Sequence, residues 1–116
     1  MGAEVQRLLM RTKAIRSSAT APRGERPKIQ EHLETIRVVA EPSVFLAKAM
    51  VIIDDVITKG ATLLAAASLL KEAFPTAEIK GFALVRTMGL QPDVDRILDP
   101  CTGTVKYRND EAEREP

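Results

Sequence analysis

Two carboxylates and two hydroxyls fall close together in this chain, at Asp54, Asp55, Thr58 and Thr62, with Lys59, Gly60 and Ala61 between the hydroxyls. Their hydrogen-bonding characters are opposed. An ionised carboxylate only accepts, whereas a threonine hydroxyl and a backbone N–H both donate. The acceptors suit sugar hydroxyls or the water shell of Mg²⁺. The donors suit a phosphate, and Gly60 and Ala61 leave room for its oxygens near the backbone. A hydrogen bond to a charged partner contributes roughly 1.5–3 kcal/mol, so several of them would hold a phosphate monoester. Acceptors for a diol beside donors for a phosphate describe a site for a ribose 5-phosphate.

Such a site needs a strand that ends at the acids and a helix that begins after the turn. Met50 to Ile53 are apolar without alternation, and Val51, Ile52 and Ile53 favour a strand. This run predicts a strand buried on both faces of a parallel sheet. Leu63, Ala66, Ala67, Leu70 and Phe74 recur at the spacing of one helical face, and Pro75 stops the helix. Thr58 to Thr62 therefore lie at the carboxyl end of a strand and the start of a helix. Ligands bind at that place in open α/β sheets. Free N–H groups and the helix dipole favour an anion there. Adjacent strand residues face opposite sides, so Asp54 and Asp55 both reach one sugar only if the strand bends.

From Val51 to Thr62 the chain resembles the phosphoribosyl-pyrophosphate (PRPP) signature of the type I phosphoribosyltransferases: apolar residues, two acids, two further residues, then Thr-x-Gly-x-Thr. Leu84-Val85-Arg86-Thr87 is similar to a strand end in competence-associated (ComF-type) members. The resemblance covers about residues 35–90. It implies a Rossmann-like parallel sheet flanked by helices, with Asp54 and Asp55 on the ribose and Thr58, Lys59, Gly60, Ala61 and Thr62 on the phosphate. It also implies transfer of ribose 5-phosphate from PRPP to a nitrogen acceptor such as a nucleobase, with pyrophosphate released and Mg²⁺ accompanying it. No direct metal ligand is assigned. The family's first strand, with its pyrophosphate loop, finds no apolar counterpart before residue 36. The resemblance thus reads as a form shortened at the N-terminus. The alternative function is a non-catalytic PRPP- or nucleotide-binding module, or a truncated fragment.

Other acid-bearing folds fit less well. A phosphoacceptor receiver domain needs a further Asp at a later strand end, where Ile79–Arg86 offers Arg86. A nucleotide P-loop needs Gly-x-x-x-x-Gly-Lys-Ser/Thr, which is absent.

The 116 residues suit a single domain of α/β class. Three Phe and one Tyr leave an aliphatic core of Val, Ile, Leu and Ala. A net charge of +1 gives no global field for nucleic acid or an anionic membrane. Short apolar runs and a lone Cys101 point to a cytoplasmic chain. Residues 2–13 read as a short helix with Val5, Leu8 and Leu9 on one face. Residues 14–31 mix Ser, Pro and Gly with Arg and Lys and predict a flexible loop. Arg23, Arg26 and Lys28 would approach pyrophosphate as this loop closes; a solvated linker is the other reading. His32 is read as structural or solvated. Ile36–Ala40 predicts a strand, Ile79–Val85 another, and Val105–Tyr107 a short edge strand; residues 109–116 predict a frayed tail. An open sheet edge left by a missing strand invites a homodimer.

Overall fold

The computed structural model describes residues 4–15, 28–39, 47–87 and 102–115. They form a mixed α/β fold of short sheets around one central helix. In chain order the elements are β1 (Leu9–Arg11), α1 (Ile29–Thr35), β2 (Ile36–Val38), β3 (Ala49–Ile57), α2 (Ala61–Ala73), β4 (Glu78–Arg86), β5 (Thr104–Arg108) and β6 (Glu111–Glu115). Among the described residues the strands pair two by two: β1 with β2 antiparallel, β3 with β4 parallel, β5 with β6 antiparallel.

The β3–α2–β4 unit follows from local sequence. Its strands run in register from Ala49 opposite Glu78 to Ile57 opposite Arg86. Five of the 13 residues of α2 are Ala, the best helix former. Pro75 follows directly on its C-cap, Phe74, and Lys71 Nζ donates to the Ala77 carbonyl at 2.7 Å as the chain turns back. Gly81 has no side chain to hold α2 off the sheet. A Cβ there would lie 3.3 Å from Leu63 Cδ1.

Two faces of α2 are buried. Leu70, Phe74 and Ala77 pack with Met50, Ile52 and Ile79 of the parallel pair and with Leu8, Leu9 and Val38 of β1–β2. Ala65 packs with Ile29 of α1 and Ala112 of β6, flanked by Leu33, Leu64 and Val105. The helix therefore joins all three sheets.

Four expectations change. Residues 9–11 are strand, not helix: Leu9, Met10 and Arg11 pair with Val38, Arg37 and Ile36. Pairing with β2 overrides a weak helical spacing. Residues 111–115 are not a frayed tail, since they form β6. Asn109 and Asp110 adopt φ of 51° and 60°, the left-handed pair that a two-residue type I′ hairpin needs. Lys106–Glu115 and Arg108–Glu113 ion pairs cross the hairpin. Of the loop expected over 14–31, residues 29–31 open α1 instead. Finally, among the described residues β3 is covered on one face only. Met50, Ile52, Asp54 and Val56 are half-buried on the α2 side, whereas Val51, Ile53 and Asp55 are exposed on the other. No helix is long and apolar enough to cross a membrane among the described residues.

Candidate functional site

The β3 strand runs through both acids and ends at Ile57, and α2 starts at Ala61. Between them Thr58, Lys59 and Gly60 bend the chain. Gly60 is the helix N-cap at φ 91° and ψ 13°, a left-handed conformation that strains other residues. Its carbonyl accepts from Leu64 N at 2.9 Å, which closes the first turn. No side chain caps α2 and no acid stands in its first turn. Those N–H groups, with the positive end of the dipole, face the turn as donors.

Glycine at position 60 also has a packing reason. A Cβ there would meet Val105 Cγ1 and Cγ2 at 2.7 Å. The missing side chain makes room for β5. The hairpin also holds the loop elsewhere. Lys59 Nζ pairs with Glu111 Oε2 at 2.7 Å. Arg114 donates to the carbonyls of Ile57 at 3.3 Å and Thr87 at 2.7 Å, which ties the carboxyl ends of β3 and β4 together.

The two acids occupy different surroundings because β3 does not bend between them. Asp54 lies on the α2 side, half-buried, and accepts from Asp55 N at 2.9 Å. Burial, then a hydrogen bond with the Asp55 side chain, raises its carboxyl above the usual carboxylate range, while the Asp55 backbone N–H opposes them. Asp55 is exposed on the opposite face and accepts from Val56 N at 2.7 Å.

Thr62, in the first turn of α2, brings its hydroxyl 3.4 Å from His32 Nε2. His32 is 2% exposed, so the structural reading of this residue fits its burial. Its other ring nitrogen lies 3.4 Å from Arg11 Nη2. Burial, then the Arg11 charge, lowers its pKa, and Glu31 opposes them. Thr58 stands half-buried in the turn.

Of the expected pyrophosphate group, Lys28 alone lies among the described residues. Arg23 and Arg26 lie outside the described residues, as do Met88–Leu90 and Cys101. Lys28 is the N-cap of α1, where its backbone N donates to Glu31 Oε2 at 2.9 Å. Arg11, Glu111 and Arg114 were not singled out from sequence. Lys59 and Glu111 stand 52 positions apart, and Arg114 is 57 from Ile57, so no local pattern marks them. A surface depression lined by Ala67, Ser68, Lys71, Glu72, Glu78 and Ile79 sits at the opposite end of α2 from the loop.

Comparison of the chain with family models, with curated proteins and with solved structures gave no match.

Proposed function

We propose that Thr58–Thr62 bind the phosphate of a phosphoribosyl ligand, ribose 5-phosphate or PRPP, and that the chain is a phosphoribosyltransferase-like domain. The observation that carries this reading is the open first turn of α2. It follows the carboxyl end of a parallel strand and has neither a side-chain cap nor an acid to compete with an anion. The acid pair at the signature spacing supports it. Asp54, half-buried on the α2 side, is the carboxylate we assign to the ribose diol. Asp55 faces away and takes a lesser part.

In the transfer that the resemblance implies, the bond from the anomeric carbon to pyrophosphate breaks and a bond to the acceptor nitrogen forms. Pyrophosphate leaves with the electron pair. The loop N–H groups and Thr hydroxyls would anchor the 5-phosphate, and Asp54 would hold the sugar. Arg23, Arg26 and Lys28 are the proposed contacts of the leaving group. Mg²⁺ fits here only together with the ligand's own phosphates. No three ligating side chains gather among the described residues, and Asp54 and Asp55 lie on opposite faces. Bound in that way it would neutralise the leaving pyrophosphate.

The second reading, a binding module without turnover, draws on two observations. Lys59, the cation within the loop, is paired with Glu111, and Asp54 and Asp55 differ in exposure. Amide NMR titration with ribose 5-phosphate tests the binding. The largest shifts are expected at Thr58–Thr62, and shifts confined to other segments refute the site. Gly60→Val should abolish binding and destabilise the fold, through left-handed strain and collision with Val105. Pyrophosphate release from PRPP over a panel of bases separates enzyme from module.

A further inference from the structure

We propose that Arg11 and His32 are positioning residues that turn the Thr62 hydroxyl hydrogen toward the anion loop. The inference rests on the anion-binding reading of Thr58–Thr62. Arg11 Nη1 donates to Thr35 Oγ1 at 2.7 Å, and Thr35 passes its own hydrogen to the Glu31 carbonyl at 2.6 Å. This holds the guanidinium with Nη2 3.4 Å from His32 Nδ1. A guanidinium has donors and no acceptor, so Nδ1 must accept and carry no proton. The neutral ring then carries its hydrogen on Nε2, which donates to Thr62 Oγ1 at 3.4 Å. A hydroxyl that receives this hydrogen cannot also point its own back at the ring. The Thr62 O–H is left to aim elsewhere, and no other side-chain partner of Thr62 is present among the described residues. The open side of the first helical turn is where a bound anion would take it.

The charged groups that bear on the ring are Arg11 from β1 and Glu31 from its own helix, while α2 contributes the Thr62 hydroxyl. Burial, followed by Arg11, keeps His32 neutral at neutral pH. Acid would add a hydrogen at Nδ1, facing Arg11, and leave the Nε2–H to Thr62 unchanged. Arg11 therefore decides the tautomer, and the tautomer decides which way Thr62 donates.

Imidazole ¹⁵N spectra of the full chain read the tautomer directly. Sulfate titration reads its consequence, because sulfate keeps its charge across the pH range in which His32 titrates. The wild type is expected to carry its proton on Nε2. Arg11→Met frees Nδ1 and admits the other tautomer, in which Thr62 donates to the ring. Sulfate affinity should then fall about three- to tenfold at neutral pH. Lowering the pH restores Nε2–H in this variant and should recover the affinity, a reversal that a merely structural arginine does not give. His32→Gln, which offers an amide N–H near the same place, should stay within about twofold of wild type, whereas His32→Leu should lose about tenfold. A wild-type ring with its proton on Nδ1 overturns the proposal. So does an Arg11→Met variant that keeps both Nε2–H and full affinity. If wild-type sulfate shifts miss Thr58–Thr62, the anion loop itself falls, and the tautomer spectrum tells that failure from the failure of the relay.

Discussion

The two faces of the β3–β4 pair share one hydrogen-bonded ladder and differ in everything else. On one, Met50, Ile52, Asp54 and Val56 lie half-buried beneath α2. On the other, Val51, Ile53, Phe82 and Leu84 are 60%, 74%, 55% and 76% exposed, although their residue types are those of an interior. The backbone does not decide burial; an element laid over the sheet does. The same difference reaches the chemistry. Asp54 and Asp55 are neighbours of one type, yet the covered one has its carboxyl raised by burial and the other is left on the surface. Two adjacent acids at a strand end are thus one partly desolvated acceptor and one solvated charge.

The sharpest way to break the comparison is to cut equal side chains from the two sides. Leu70→Ala, in the core against the sheet, should cost about 2–4 kcal/mol in urea unfolding. Leu84→Ala on the bare face should change stability by less than about 0.5 kcal/mol. Equal losses would mean that the bare face is covered in solution.

A smaller effect separates the acids. Asp54→Asn should weaken ribose 5-phosphate binding about tenfold and inorganic phosphate much less, because it removes an acceptor for the sugar. Asp55→Asn should leave both within about twofold. Calorimetric titration of the two variants decides, and matched losses would erase the asymmetry between the faces.

The smallest effect is thermal. With its carboxyl raised in the folded state, Asp54 favours folding when protonated. That contribution is fully present below the ordinary carboxylate range and is lost as pH rises through the raised value. At neutral pH Asp54→Asn should therefore melt about 1–2 °C above wild type, and the gap should close on acidification. The group is only partly buried, which keeps the shift small. Thermal scans that show no gap at any pH would place Asp54 in the same environment as Asp55.

The parts legible in the sequence are those whose cause is local. The apolar run, the turn residues and the helical spacing give β3, the loop, α2 and β4 within a few residues. They also locate the acids and the hydroxyls. Leu8 and Leu9 read as one face of a helix, and only pairing with β2, far along the chain, makes Leu9 part of a strand with Leu8 on its flank. The charged alternation Glu111, Glu113, Glu115 looks like a solvated tail until Asn109 and Asp110 turn it back on β5. Burial on a single face of β3 is equally invisible, since an apolar run does not say how many neighbours it has. In the site the misses are partners brought from a distance: Arg11 and His32 behind Thr62, Glu111 on Lys59, Arg114 on Ile57.

The hairpin's hold on the loop sets an order of events during synthesis. The acids, the turn and α2 leave the ribosome early, but Val105, Glu111 and Arg114 follow much later, with Glu111 52 positions after Lys59. Until they emerge, Gly60 lacks its packing against Val105 and Lys59 its ion pair with Glu111. The nascent chain can form β3, α2 and β4 from nearby contacts, while the loop between β3 and α2 takes its final shape only with a segment made much later. A ribosome stalled before β5 would display a folded helix whose preceding loop is not yet set.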